Sequence, residues 1–250
     1  MIKKTKIGLA QLQIVDGDRA YNLKGHIDMI ERAAKAEADV VVFPELSLTG
    51  YVLPQLSELA LAPCSDDFVD LLNTSMKHDI IVVVGCPLKS QSSQKPTIGA
   101  VICFPNGTIE FYSKQYLHEG ESEHCVAGTE DYSFEVNDCQ IGLAICADFT
   151  HPEHAARLRS NGAAVYLVSA LISEKGFPKD ADILASIATN NRFSVLLSNH
   201  VSKTGGWSTC GNNSIWSSKG EVLQSDCVSD CLMMCVIDDE QVFAQVIEVC

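Results

Sequence analysis

The sequence predicts an α/β fold. Short runs at residues 40–43, 80–85, 164–168 and 194–198 are apolar without alternation, the pattern of strands covered on both faces. Between such runs lie segments whose apolar residues fall three and four apart, as in helices that bury one face. The strand–helix–strand order also opens twice on the same four residues, Ile7-Gly8-Leu9-Ala10 and Ile141-Gly142-Leu143-Ala144. That echo fits two similar β-α layers packed face to face.

Taken in order, residues 6–12 read as a strand, and Asn22 then precedes Leu23, Ile27, Ile30 and Ala34, one face of a helix. Residues 40–43 form a buried strand. Phe68, Leu71, Leu72 and Met76 mark a second helix, followed by the buried strand 80–85. The polar stretch 90–96 predicts a surface loop. Residues 98–104 and 108–112 flank Pro105-Asn106-Gly107 and predict a hairpin. A helix over 152–160, a strand over 164–168, a helix over 180–191 and a strand over 194–198 follow. Residues 213–237 read as strands with a turn at Lys219-Gly220. Cys227, Cys231 and Cys235 recur at helical spacing there, but their Val, Leu, Met and Ile neighbours favour strand and place the thiols in a core.

With 250 residues, 46% of them hydrophobic, the chain can bury one large core, and a single domain over 1–250 is expected. No apolar stretch approaches the roughly 18 residues that span a bilayer. The basic residues near the N-terminus lead directly into a strand, so no signal peptide is expected. Eleven cysteines, an odd number in apolar surroundings, predict free thiols in a reducing cytoplasm. A net charge of −14 argues against nucleic-acid binding. No Gly-rich phosphate loop or Gly-x-Ser-x-Gly elbow is present, so no cofactor is expected. Two clusters contain metal-ligand residue types: His118, Glu119, Glu123, His124 and Cys125, and the pair His151 and His154. Neither matches a compact zinc spacing, so no metal is expected.

Cys146 ends the apolar run Gln140-Ile141-Gly142-Leu143-Ala144-Ile145, where the chain gives way to Asp148, Pro152 and Glu153. A thiol at a strand end before a helix lies where ligands of α/β folds gather. It needs a base and a group to hold a developing oxyanion. Glu45 stands in a comparable place after Val40-Val41-Val42-Phe43-Pro44, a run too apolar to leave a carboxylate there for solubility. Lys114 lies in Tyr112-Ser113-Lys114-Gln115-Tyr116-Leu117, where a lysine on a hairpin is ordinarily solvated.

These three segments together resemble the nitrilase superfamily of carbon–nitrogen hydrolases. The matching motifs are Phe43-Pro44-Glu45, Tyr112-x-Lys114-x-x-Leu117, and Cys146-x-Asp148 with Pro152-Glu153; Glu121, with Gly128 behind it, matches a second family glutamate. The likeness runs from Lys6 to about Leu223. It implies a four-layer α-β-β-α sandwich, often dimerised through its helical faces, and a catalytic set of Glu45, Lys114, Cys146 and Glu121. The implied reaction is hydrolysis of a non-peptide C–N bond in a small amide through a cysteine thioester. Nitriles and N-carbamoyl compounds are the alternative substrates. Nitrile-cleaving relatives usually carry Trp-Glu after the cysteine, where this chain has Ala147-Asp148.

An activated Cys146 is expected to carry a thiol of lowered pKa. The Ala147 N–H is expected to share the oxyanion with Lys114, and Phe149, His151, Ala170 and Trp207 are candidate pocket walls. The chain departs from many relatives in having Thr150 and His151 where an arginine follows the cysteine, and Ile187 and Asn190 where an ion-paired helix is usual. Those departures leave a rival expectation, a non-catalytic binding or metal module on the same sandwich.

Overall fold

The computed structural model describes residues 4–224, 228–238 and 241–248. In chain order the elements are β1 (Thr5–Gln11), α1 (Arg19–Lys35), β2 (Val40–Val42), α2 (Leu56–Leu59), α3 (Val69–His78), β3 (Ile81–Leu88), β4 (Thr97–Cys103), β5 (Ile109–Ser113), β6 (Ser133–Val136) and β7 (Cys139–Ile145). They continue with α4 (Pro152–Ser160), β8 (Val165–Ala170), α5 (Phe177–Asn191), β9 (Ser194–Asn199), β10 (Lys203–Thr204), β11 (Trp207–Ser208), β12 (Ser214–Trp216), β13 (Val222–Gln224), β14 (Cys231–Asp238) and β15 (Gln241–Glu248).

The strands form a seven-stranded sheet, β15-β14-β1-β2-β3-β4-β5, and a six-stranded sheet, β13-β12-β9-β8-β7-β6. Each has a parallel centre, β1-β2-β3 and β7-β8-β9, flanked by antiparallel strands. Strict alternation along each strand divides the apolar residues into three layers. Ile7, Leu9, Val40 and Val42 meet Ile141, Leu143, Val165 and Leu167 between the sheets. Ala10, Val41 and Val82 pack outward on Met29, Ile30 and Leu71 of α1 and α3. Ala144, Tyr166 and Val168 pack outward on Ala155, Leu158 and Leu184 of α4 and α5. The fold is therefore the four-layer α-β-β-α sandwich.

The repeated tetrapeptide has the same task in both halves. Ile7 and Leu9 face the central layer, as do Ile141 and Leu143. The intervening glycines face outward: a Cβ on Gly8 would sit 2.9 Å from Leu232 and 3.6 Å from Ala33 of α1, and one on Gly142 would sit 3.0 Å from Leu158 of α4. Glycine there admits a close covering layer.

Several boundaries differ from the sequence reading. Helix α1 starts four residues earlier, capped by Asp18, whose side chain accepts the Tyr21 N–H. Its inward face includes polar Asn22 and His26, while Ile27 and Ala34 are only half-buried. A hydrophobic period cannot reveal this, because Asn22 is buried to bind the Val15 and Leu48 carbonyls at 2.8 and 3.2 Å. Helix α5 begins at Phe177, with Pro178 in its first turn. Cys231 and Cys235 lie in β14, fully buried; Cys227 lies outside the described residues.

Polar bridges cross the central layer at the carboxyl ends of the strands. Ser169 on β8 donates to the Phe43 carbonyl at 2.8 Å, Ser198 on β9 to the Ala10 carbonyl at 2.7 Å, and Asn213 to the Leu9 carbonyl at 2.9 Å. Each such bond nets about 1 kcal/mol, against roughly 1.5–3 kcal/mol for each large aliphatic side chain buried. Packing therefore supplies the cohesion, and the bridges set how the two sheets register at the end where β2, β7, β8 and β9 finish. Among the described residues, no helix is long and apolar enough to cross a membrane.

Candidate active site

Cys146 follows β7 and adopts φ of 42°, a left-handed conformation that is costly for a side chain with a Cβ. Asp148 over-determines this elbow. One of its oxygens accepts the Gln115 and Tyr116 N–H groups, both at 2.9 Å; the other accepts the Ile145 N–H at 2.9 Å and the Tyr112 hydroxyl at 2.7 Å. A buried carboxylate thus ties the cysteine turn on one sheet to the lysine segment on the other. Tyr112 also meets His154 Nε2 at 3.1 Å, and His154 Nδ1 meets the Tyr166 hydroxyl at 2.9 Å. Because the Tyr112 proton goes to Asp148, Nε2 carries the imidazole proton and Nδ1 accepts from Tyr166. Burial holds the His154 pKa below its ordinary value.

Lys114 immediately follows β5 and is fully buried. Its ammonium donates to Glu45 Oε1 and to Glu121 Oε1, each at 2.7 Å. Glu121 also accepts the Tyr51 hydroxyl at 2.7 Å, and its Oε2 accepts the His118 N–H at 2.7 Å. The Gly128 N–H pins the Lys114 carbonyl at 2.7 Å. A Cβ at Gly128 would lie 2.3 Å from the Ser113 carbonyl oxygen, so only glycine lets this segment approach the end of β5. Glu45 sits beyond β2 in a turn whose next residue, Leu46, has φ of 52°. Gly85 backs that turn: a Cβ there would fall 2.4 Å from Pro44 O and 2.5 Å from Leu46 N.

The electrostatics follow from one ammonium shared by two carboxylates in a dry site. Burial pushes the Glu45 carboxyl above its ordinary pKa, against the attraction of Lys114. Burial alone would lower Lys114, but Glu45, Cys146 and Glu121 outweigh it and hold the ammonium charged. Glu45 Oε2 is buried with no hydrogen-bond partner, and Cys146 is among its close electrostatic neighbours. The Cys146 thiol, with Sγ 3.7 Å from the Leu171 carbonyl oxygen, is pushed well above its ordinary pKa by burial and then by the Glu45 charge. This corrects the expectation of a lowered thiol pKa. Two carboxylates share the Lys114 charge, so little of it is left to favour a thiolate at Cys146.

A cavity of about 520 Å³ opens on this cluster, within the size range of small-molecule sites. Glu45, Glu121, Cys146, Ala147, Phe149 and Trp207 line it, and the Lys114 ammonium is bonded to the first two of these. Two sequence-stated wall candidates are elsewhere. His151 stacks on Tyr116 at 3.8 Å and pairs with Glu153 at the surface. Ala170 is buried in the layer between the second sheet and its helices, because the last residue of β8 points outward while the following Leu171 reaches the cavity. Tyr51, Leu171 and Asp180 also line the cavity and were not singled out from the sequence. The position of Tyr51 just past the Glu45 turn was the available signal. Of the metal-like clusters, His118 and Glu119 line the cavity, His154 is taken up between two tyrosines, and no group of three His, Cys, Asp or Glu among the described residues could hold a metal ion. All nine described cysteines are free.

Comparison with known proteins agrees with this architecture. The chain is 32% identical over 169 residues to a 2-oxoglutaramate amidase of Bacillus subtilis (strain 168), a match covering 67% of this chain and 65% of that protein. It is 32% identical over 165 residues to an (R)-stereoselective amidase of a Pseudomonas species, covering 66% and 59%. The chain thus spans somewhat under two thirds of these two relatives. A nitrilase of Pyrococcus abyssi is 28% identical over 227 residues, covering 87% of this chain and 83% of that protein. Among solved structures, an amidase from Nesterenkonia sp. AN1 superposes with a TM-score of 0.86 at 23% identity, covering 94% of this chain and 93% of that one, a likeness of fold. The profile of the carbon-nitrogen hydrolases matches residues 6–230, nine-tenths of the chain and every residue of the buried cluster, and the protein belongs to that family.

Proposed function

We propose that this chain is a single carbon–nitrogen hydrolase domain acting as an amidase, releasing ammonia from a small amide through a thioester on Cys146. The observation that carries the reading is the buried Glu45–Lys114–Glu121 cluster beside the cysteine elbow, with one Glu45 oxygen uncommitted. Names of relatives at 32% identity, both amidases, support the amide over the nitrile.

In this mechanism Cys146 Sγ attacks the amide carbon while its proton passes to Glu45 Oε2. The oxyanion is held by the Lys114 ammonium, two of whose three protons are bonded to carboxylates, and by the Ala147 N–H. Glu45 then returns the proton to the leaving nitrogen, so ammonia departs and the C–N bond is replaced by C–S. Water enters and adds to the thioester carbon as Glu45 takes its proton; the C–S bond then breaks, Glu45 returns that proton to the sulfur, and a carboxylic acid and the free thiol result. Glu121 keeps the lysine aimed; Tyr51 and the His118 N–H in turn keep Glu121 in place. Ala147, Phe149 and Trp207 serve as substrate walls.

Free thiols throughout the described residues support a cytoplasmic location, and the family resemblance supports a homodimer. Ammonia release from a panel of small amides, N-carbamoyl amines and nitriles tests the reading. Release from amides is expected; release from nitriles alone would replace it with a nitrilase, the reading favoured by the Pyrococcus relative.

A further inference from the structure

The turn that carries Glu45 leaves one main-chain acceptor without a partner in its own hydrogen-bonding. Pro44 O accepts from Ser47 N, and Leu46 O accepts from Thr49 N and Gly50 N. Glu45 O instead meets His200 Nε2 at 2.6 Å, across 155 residues of sequence and from the opposite sheet. His200 is the first residue beyond β9 and is fully buried. Its own backbone is fixed, since its carbonyl accepts the Gly211 N–H at 2.7 Å and the preceding Asn199 N–H donates to Asn213 at 2.8 Å.

A carbonyl can only accept, so Nε2 carries the imidazole proton and Nδ1 is bare. Nδ1 is buried with no partner, so among the described residues the ring's one polar contact is the one to the Glu45 carbonyl. That contact holds the Glu45 backbone. We propose that His200 is a positioning residue for the candidate base: through the Glu45 carbonyl it fixes the turn from which the Glu45 carboxylate reaches both Lys114 and the Cys146 thiol. The ring is neutral across the physiological range, since burial lowers its pKa to about 4, with the Glu45 carbonyl and Asp16 opposing. His26 faces the same turn, its Nε2 2.9 Å from the Ser47 hydroxyl, so the turn is gripped by two buried imidazoles from different layers. This inference rests on Glu45 acting as base.

The test compares His200→Leu, which cannot donate, with His200→Gln, whose amide can reach the same carbonyl, using Glu45→Gln as the floor. Alkylation of Cys146 by iodoacetamide is followed by peptide mass against pH, together with kcat and KM for an amide that the wild type cleaves. His200→Leu is expected to slow alkylation at pH 7 and to lower kcat, each by about 10–100-fold, with KM within about twofold, as for a base displaced by a fraction of an ångström to one ångström. His200→Gln is expected to recover most of both losses. If the leucine variant does not fold, His200→Asn, whose amide is too short to reach the carbonyl, takes its place. Unchanged alkylation, a loss confined to KM, or a glutamine variant no better than the non-donor would overturn the positioning role. Because alkylation needs no substrate, a protein inert toward every amide but showing the expected alkylation pattern would overturn the amidase reading and leave the role of His200 standing.

Discussion

Lys114 shows most directly how a residue unremarkable in sequence becomes decisive in the fold. A lysine at a hairpin end is ordinarily solvated, yet here its ammonium is buried between Glu45 and Glu121 at 2.7 Å from each. Replacing it with methionine would leave two carboxylates facing each other without a cation. We expect Lys114→Met to lose about 3–5 kcal/mol of stability, as when one partner of a buried ion pair is removed. Chemical denaturation checks this, and a loss below 1 kcal/mol would mean that the carboxylates do not share the lysine's charge. Motif resemblance pointed to Glu45, Lys114, Glu121 and Cys146, and all four meet at one end of the sandwich. The protonation state of the thiol was not legible in the sequence, because it depends on how many carboxylates share one ammonium, a property of packing. Tyr51 and His200 were missed for the same reason: each acts through a single contact made across the fold.

Turns at strand ends, rather than the strands themselves, aim the site. The central strands and the 152–160 helix were readable from apolar runs and spacing, whereas β6, β10, β11 and β15 were not, and α1 was misplaced because its inward face carries Asn22 and His26. His26 Nδ1 donates to the Asn22 carbonyl at 2.7 Å, and its Nε2 accepts from Ser47. Burial lowers the pKa of His26, as of His200, from 6.5 to about 4. Between those values the unfolded chain binds more protons than the folded one. The stabilisation is thus complete above pH 6.5 and is lost as pH falls toward 4. His26→Gln, which removes one such proton site, is expected to lose about 2 kcal/mol less than wild type between pH 7 and pH 5. Equal losses, read from urea midpoints, would show that His26 is not held neutral. Gly85 supports the same turn by lacking a side chain. Gly85→Ala is expected to lower kcat at least tenfold by shifting Glu45, a displacement effect on the scale known for misplaced catalytic groups; full activity would mean that the turn tolerates the extra carbon.

The whole molecule places one β-α layer of each half back to back, so that the carboxyl ends of β2, β7, β8 and β9 meet at one edge of the central apolar layer. Glu45 comes from the first sheet and Cys146 from the second, and Asp148, Ser169 and Ser198 hold the sheets in register there. The repeated Ile-Gly-Leu-Ala segments suggested two similar β-α layers, and the family resemblance supplied their four-layer order; which residues face the centre and which the helices came from the fold. The cavity walls were not, because β8 and the start of α5 bring Leu171 and Asp180 to the site while directing Ala170 away. The account rests on Cys146 forming a covalent acyl intermediate with an amide. Intact-protein and peptide mass spectrometry on wild type and Cys146→Ala, quenched with acid during turnover of a cleavable amide, tests this directly. The prediction is a mass gain equal to the acyl group on the Cys146 peptide of wild type, with neither adduct nor ammonia release in the alanine variant. Full ammonia release by Cys146→Ala would contradict it.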